Sequence, residues 1–156
     1  MKTIQNANKQ SVREWKSILV PIDFSTISLK ALRQAIACAK SSGGRVSLIH
    51  VIEPYMAYVE DGSLAPPVVD QELVRSSAMK KLQRLAGRMD PVIRGKQIVC
   101  FGKPFQEVAN IAKRMRTDLI VLTTHGHTGW KHVFLGSTAE RLVRHAPCPV
   151  LVVHGK

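Results

Sequence analysis

Five short apolar segments alternate along the chain with segments of helical periodicity, and this alternation limits the folds available to it. The apolar segments carry hydrophobic residues at consecutive positions, which is typical of strands buried on both faces. They cover residues 17–22, 46–52, 96–101, 119–123 and 149–153. The helical segments cover residues 28–42, 68–89, 105–115 and 136–145. This order predicts an α/β fold: a single doubly wound, Rossmann-like domain with a five-stranded parallel sheet and helices on both faces.

The first fifteen residues differ in composition from the rest of the chain. Asn, Gln, Lys and Ser dominate them, so we predict a flexible N-terminal arm over residues 1–15 and one domain over residues 16–156. The N-terminus has no apolar signal-peptide region, and no apolar run approaches the ~18–20 residues of a membrane span. We therefore expect a cytoplasmic protein with no membrane partner.

Two interruptions of the strand and helix pattern predict local breaks. Pro21 is disfavoured in a central strand, so the paired part of the first strand is expected to end there. Residues 53–67 contain Asp-Gly and Pro-Pro turn signals and no periodicity. This segment is long enough for a functional lid, but we predict a mobile loop.

The chain is strongly basic, with 23 Lys and Arg against 11 Asp and Glu and a net charge of +12. Such a charge suggests contact with a polyanion such as nucleic acid. Lys80, Arg84 and Arg88 recur at helical spacing, with Lys81 beside them, and form one stripe of the second helix. A stripe of this kind is more often a solvated helix face, and no aromatic residues are interleaved to stack on bases. We therefore predict no specific nucleic-acid partner.

A buried strand, a glycine-bearing loop and a helix N-terminus follow one another in residues 119–145. Ser137 is predicted to cap this helix, with Glu140 three residues later completing a capping box. Unpaired backbone N–H groups and the positive end of the helix dipole at such a terminus attract phosphate. Gly126 and Gly136, which flank the loop, allow the backbone to approach an anion closely. The segment therefore predicts a nucleotide site.

The end of the first strand is predicted to contribute to the same site. Ligands of open parallel sheets lie beyond the carboxyl ends of the strands, where the strand order reverses. If the first and fourth strands are adjacent at that point, Asp23 and residues 126–137 share one pocket.

Other kinds of site have little support in the sequence. There is no P-loop, and no G-x-G-x-x-G follows the first strand. His125, His127 and His132 have no carboxylate or cysteine within ligand spacing, so we predict no metal site built by the protein. No nucleophile is paired with a base, and we assign no catalytic residue.

Motifs at both ends of the predicted domain resemble those of one known family. Residues 18–25 read ILVPIDFS and residues 50–52 read HVI. Residues 123–129 read TTHGHTG, residues 135–137 LGS and residues 147–153 PCPVLVV. Together they resemble the universal stress protein family of the UspA type, and the resemblance extends over residues 17–154.

The resemblance implies an adenine-nucleotide site. The ATP-binding pattern of the family is glycine, two residues, glycine, nine residues, glycine and then Ser or Thr. This chain matches it at Gly126, Gly136 and Ser137 but has Thr123 in place of the first glycine. The same resemblance places Asp23 near the sugar and the Val51 backbone against adenine. The implied nucleotide-binding residues are Pro21, Ile22, Asp23, Val51, Leu122, Thr123, His125, Gly126, His127, Gly136, Ser137 and Thr138.

The family also implies a function and an assembly. It implies an adenine nucleotide alpha hydrolase-like sheet and a role in stress response. The expected ligand is ATP, or AMP or ADP, with Mg²⁺ carried on the phosphates. We expect a homodimer through the last strand, Val150–Val153, because an open apolar edge strand is commonly covered by a second copy. Two alternatives stay open: a stress protein that binds no nucleotide and acts through its dimer surface, which Thr123 favours, or a slow ATPase or phosphotransferase.

Overall fold

Five parallel strands form a central sheet in the computed structural model, which describes residues 14–54, 57–58, 64–65, 70–124 and 136–154. In chain order the elements are β1 (Ser17–Pro21), α1 (Ser28–Ser42), β2 (Arg45–Ile52), β3 (Ala57–Tyr58), β4 (Leu64–Ala65), α2 (Gln71–Ala86), β5 (Arg94–Phe101), α3 (Pro104–Arg114), β6 (Leu119–Thr123), α4 (Ser137–His145) and β7 (Val150–Val153). The short strands β3 and β4 pair with each other in a separate antiparallel hairpin.

The strand order of the central sheet is β5-β2-β1-β6-β7, and every neighbouring pair is parallel. From β1 the chain builds outward through β2 to β5 and then returns to the other side of β1 with β6 and β7. The order therefore reverses between β1 and β6, where Ile18 pairs with Leu119 and Leu19 with Ile120. The predicted fold class and the predicted adjacency of these two strands are confirmed.

The two faces of the sheet carry separate apolar cores because successive strand residues point to opposite sides. Val20 and Val121 belong to the core beneath α1 and α2, whereas Leu19 and Ile120 belong to the core beneath α3 and α4. All four side chains are completely buried. The helices therefore turn their apolar faces inward, and none in the described part of the chain is long and apolar enough to cross a bilayer.

Element boundaries differ from the predicted ones by a few residues. α2 begins at Gln71 because the Oδ1 atom of Asp70 accepts hydrogen bonds from the amides of Glu72 and Leu73, at 3.0 and 3.1 Å. The segment over residues 53–67, predicted to be a loop without elements, contains β3 and β4. Residues 1–13 of the predicted arm lie outside the described residues.

Asp118 holds the start of β1 in place beside β6. Its Oδ2 atom accepts hydrogen bonds from the backbone amides of Lys16 and Ser17, at 3.0 and 2.8 Å. Its own amide donates to the carbonyl of Ser17 at 2.8 Å. One carboxylate thus sets the register of the two strands that border the reversal point.

Candidate functional site

The strands β1 and β6 separate towards their carboxyl ends. Their register extends over two residue pairs near the start of each strand. The amide of Ile22 donates to the carbonyl of Ile49 on β2, at 2.8 Å. Because successive backbone groups of a strand point to opposite sides, the nitrogen of Pro21 faces β6, and proline has no N–H to donate there. The predicted end of strand pairing at Pro21 is confirmed, and it opens the sheet beside β6.

A cleft of about 410 Å³ lies at this opening, within the size range of small-molecule sites. Its walls come from the carboxyl ends of β1, β2 and β6 and from the N-terminal turns of α3 and α4. Nine of the residues implied by the family pattern line it: Pro21, Ile22, Asp23, Val51, Leu122, Thr123, Gly136, Ser137 and Thr138. The other three, His125, Gly126 and His127, lie outside the described residues.

Several lining residues were not singled out by the sequence. They are Ser28, Ile49, His50, Glu53, Pro104, Val108, Thr124, Ala139 and Leu142. Most are neighbours in sequence or in helix register of predicted residues, so a wider window around each motif would have included them. Pro104 and Val108 are different, because only the packing of α3 against the sheet brings them to the cleft.

The N-terminus of α4 lies at the cleft, and it is capped differently from the prediction. Gly136 is the N-cap residue, and Ser137 is the first residue of the helix and is exposed. Glu140 therefore lies one position too far along for a capping box, and its carboxylate contacts Arg144 at 3.3 Å. The predicted capping box is wrong. The N-cap residue Gly136 has no side chain, so the cap position supplies no acceptor to the first amides of α4, and amides at such a terminus donate to anions.

Asp23 is held at the mouth of the cleft by the turn after β1. Its Oδ1 atom accepts hydrogen bonds from the amide and the hydroxyl of Ser25, at 2.9 and 2.6 Å. Phe24 between them has a φ of +63°, in the left-handed region, which folds the chain back so that Ser25 reaches Asp23. The hydroxyl oxygen of Ser25 also accepts from the amide of Ser28 at 3.1 Å. The carboxylate is thereby tied to the first turn of α1.

His50 braces the same turn from β2. Its Nδ1 atom lies 2.7 Å from the carbonyl oxygen of Ile22, and since a carbonyl only accepts, Nδ1 carries the proton of this bond. The imidazole also packs against the ring of Phe24, with 4.5 Å between ring centroids. The backbone before Asp23 and the residue after it are thus both fixed by one side chain.

The charged side chains among the described lining residues are both acidic, Asp23 and Glu53. An anion in the cleft would therefore be attracted by the N-terminus of α4 rather than by a described cation. Within the described residues no group of three His, Cys, Asp or Glu side chains is placed to hold a metal ion.

A doubly wound sheet with a cleft at its reversal point defines the class of open α/β ligand-binding folds. The model of the universal stress protein family matches residues 14–154. Universal stress protein MJ0531 of Methanocaldococcus jannaschii is 35% identical over 143 residues, which cover 89% of this chain and 82% of the relative. The chain therefore belongs to the universal stress protein family.

Solved structures agree with this assignment. MJ0577 of Methanocaldococcus jannaschii superposes with a TM-score of 0.74 at 27% identity, covering 92% of this chain and 98% of that one. A universal stress protein of Archaeoglobus fulgidus, solved in complex with dAMP, superposes with a TM-score of 0.60 at 18% identity. The match covers 89% of this chain and 98% of that one, and at this identity it supports the fold alone.

Proposed function

We propose that this universal stress protein binds an adenine nucleotide, with ATP as the favoured form, in the cleft between β1 and β6. One observation carries the proposal: Asp23 and the N-terminus of α4, where the N-cap residue is glycine, line the same cleft at the point where the strand order reverses. A carboxylate accepts hydrogen bonds from ribose hydroxyls, and helix N-terminal amides donate to phosphate. The Asp23 carboxylate thus suits the ribose end of a nucleotide, and the amides of α4 suit its phosphate end.

The nucleotide lies with its base towards β2 and its phosphates towards α4. The Val51 backbone faces adenine, and the apolar side chains of Ile22 and Leu122 support the nucleoside from the sheet. Ser137 and Thr138 add hydroxyl donors to the amides of the helix terminus. Thr123 stands where related ATP sites have glycine, while His125, Gly126 and His127, outside the described residues, complete the phosphate end. The Archaeoglobus fulgidus protein, which has the same fold, was solved in complex with a nucleotide, dAMP.

Magnesium enters with the nucleotide rather than through a protein site. Mg²⁺ keeps several of its waters and needs few protein ligands when phosphates supply the others. The charged side chains among the described lining residues, Asp23 and Glu53, are acidic and oppose the charge of a triphosphate. The ion would neutralise part of the triphosphate charge that these carboxylates oppose.

The protein acts in this proposal as a nucleotide-dependent regulatory module of the stress response and works as a homodimer. β7 is the last strand of the sheet, paired on one side with β6 through Ile120 and Val150. Leu151, in the middle of β7, is 38% exposed, which is unusual for a strand with such an apolar sequence. A second copy that covers Val150–Val153 would bury this edge.

The proposal is tested by looking for a bound nucleotide and then measuring its affinity. Native mass spectrometry of the purified protein is expected to show an adenine nucleotide carried through purification. Calorimetry with ATP, ADP and AMP in the presence of Mg²⁺ is expected to give saturable binding, strongest for ATP. Failure to bind any of them at millimolar concentration would favour a stress protein that uses no nucleotide.

A further inference from the structure

The two helices that cover the first face of the sheet form a single layer. α1 packs over β1 and β6, and α2 packs over β2 and β5. Because the sheet order is β5-β2-β1-β6, the two helices lie side by side on this face of the sheet. Their apolar faces share one core, so their opposite faces point to solvent together. We refer to this solvent-facing side of α1 and α2 as the basic layer.

The α1 half of the basic layer contains cations and no acidic residue. Lys30, Arg33 and Lys40 occur in α1, and its sequence has neither Asp nor Glu. Arg33, Ala37 and Lys40 are exposed and follow one another at helical spacing. The sequence shows this row only weakly, because Ala37 interrupts it.

The α2 half continues the same charge. Its exposed cations are Arg75, Lys80, Lys81 and Arg84, with Arg88 just beyond the helix end. Its one acidic residue, Glu72, lies in the first turn, away from the Lys80 and Arg84 row. By contrast, α3 and α4 on the other face each carry two Lys or Arg side chains and one acidic one.

Ion pairs with described residues do not neutralise the exposed rows Arg33 with Lys40 and Lys80 with Arg84. The two ion pairs formed between described residues join Lys16 to Glu14 and Arg144 to Glu140, and neither lies on α1 or α2. Lys81 lies over the ring of Phe24, 5.4 Å from its centroid, which leaves its charge in place. Among the described residues, these two exposed rows therefore keep their positive charge at the surface.

The layer fits a rigid polyanion better than a membrane. Surface-bound helices insert an apolar face into the lipid interface, whereas the apolar faces of α1 and α2 are buried in the core. Side chains between the cations are mostly small or polar, such as Gln34 and Ser41 on α1 and Gln83 on α2, and the exposed apolar exception is Leu73 in the first turn of α2. Duplex nucleic acid presents one phosphate charge per ~1.7 Å of its axis, so a helix of ~23 Å faces many of them.

We propose that the basic layer binds the phosphate backbone of double-helical nucleic acid without reading its sequence. Rows of cations on the two helices meet the phosphates, and neither α1 nor α2 contains an aromatic residue that could stack on bases. Binding is therefore independent of sequence and steeply dependent on salt. It does not rest on nucleotide binding, since the nucleotide cleft is built from other residues.

The test compares three double variants that all remove two positive charges. Arg33→Gln with Lys40→Gln changes α1, Lys80→Gln with Arg84→Gln changes α2, and Lys113→Gln with Arg114→Gln changes α3 on the opposite face as the control. Fluorescence anisotropy with labelled ~20-base-pair duplexes of two unrelated sequences is measured over a series of salt concentrations. Thermal unfolding by circular dichroism verifies that each variant is folded.

The parent protein is expected to bind both duplexes equally. The slope of log affinity against log salt is negative, and each α1 or α2 variant is expected to reduce its magnitude by about two. Each lost phosphate contact reduces the magnitude by about one. The α3 control is expected to retain the parent slope. An equal loss in the control would overturn the proposal, since net charge alone would then explain binding. Sequence-selective binding, or binding to phosphatidylserine vesicles without binding to duplexes, would also overturn it.

Discussion

A Cβ atom added at Gly136 would lie 2.8 Å from the carbonyl oxygen of Thr124. The same carbonyl accepts a hydrogen bond from the Gly136 amide at 2.7 Å, so the start of α4 is held directly against the residue that follows β6. Gly136 has a φ of −56°, which any residue adopts. Its glycine is therefore required by close backbone approach rather than by an unusual backbone angle.

Gly136→Ala is expected to lower the free energy of unfolding by about 1–3 kcal/mol, the usual cost of forcing a group into a packed site. The sequence indicated that glycine here serves close approach of the backbone to an anion. The structure shows that backbone atoms of Thr124 are met first. Urea unfolding of Gly136→Ala checks the prediction, with Gly87→Ala as a control where the nearest contact would be 3.3 Å. Equal stability of Gly136→Ala and the parent would contradict it.

Asp118→Ala is expected to destabilise the protein because two backbone amides would lose their acceptor. The hydrogen bonds from Lys16 and Ser17 to this carboxylate lie at the start of the central strand, and bonds to charged groups contribute about 1.5–3 kcal/mol. Asp118→Asn keeps one side-chain carbonyl and is expected to recover part of the loss. Urea unfolding of both variants is the measurement. If Asn is as costly as Ala, the acceptor role is not the cause.

Cys100 provides a test of the electrostatics near α3. Burial raises the pKa of its thiol most, and the Glu107 carboxylate raises it further by opposing a second negative charge, while Arg114 and Arg75 lower it. Glu107→Gln is therefore expected to lower this pKa, so that alkylation of Cys100 begins at a lower pH. Peptide mass spectrometry after timed alkylation over a pH series measures the shift. Glu140→Gln on α4 is the control, and an unchanged profile in Glu107→Gln would contradict the assignment.

Val152→Lys is expected to convert the proposed homodimer to a monomer. A charged side chain in β7 would be buried against the second copy without a partner, which opposes association. Light scattering at tens of micromolar protein measures the mass. Val92→Lys adds the same charge at a residue that is 75% exposed and is expected to leave the mass unchanged. A monomeric parent protein would contradict the proposed dimer.

The sheet was predictable because its signals are local. Residues 119–122 are apolar at every position, which indicates a strand buried on both faces, and β6 extends from Leu119 to Thr123. Pro21 predicted the end of pairing in β1 through a property of one residue, its missing N–H. The site was predictable in part from the same local signals. Asp23 follows the apolar strand β1, and Ser137 begins the helix α4.

The remaining features depend on partners that are distant in sequence. The carboxylate of Asp118 accepts from residues about a hundred positions away, so no local pattern marks it. Serine is a common N-cap residue, so the sequence favours Ser137 as the cap of α4. The hydrogen bond from the Gly136 amide to Thr124 places the cap one residue earlier, at Gly136. The contribution of α1 to the basic layer appears only when the fold places it beside α2.

The central claim is tested most directly at Ser137, the exposed first residue of α4. A negative charge there is expected to stabilise the helix by about 0.3–1 kcal/mol through its dipole. It would also repel phosphate by about 1–4 kcal/mol at ~4 Å, which corresponds to at least about a fivefold loss of affinity. Ser137→Gln adds similar bulk without charge. The pair therefore separates the effect of charge from the effect of size.

Calorimetry with ATP and Mg²⁺ on the parent, Ser137→Glu and Ser137→Gln is the deciding measurement. We expect saturable binding by the parent, a modest loss in Ser137→Gln and a much larger loss in Ser137→Glu. Thermal unfolding is expected to show that Ser137→Glu is at least as stable as the parent. Equal affinities for the Glu and Gln variants, or no binding by the parent at millimolar ATP, would contradict a nucleotide site at the N-terminus of α4.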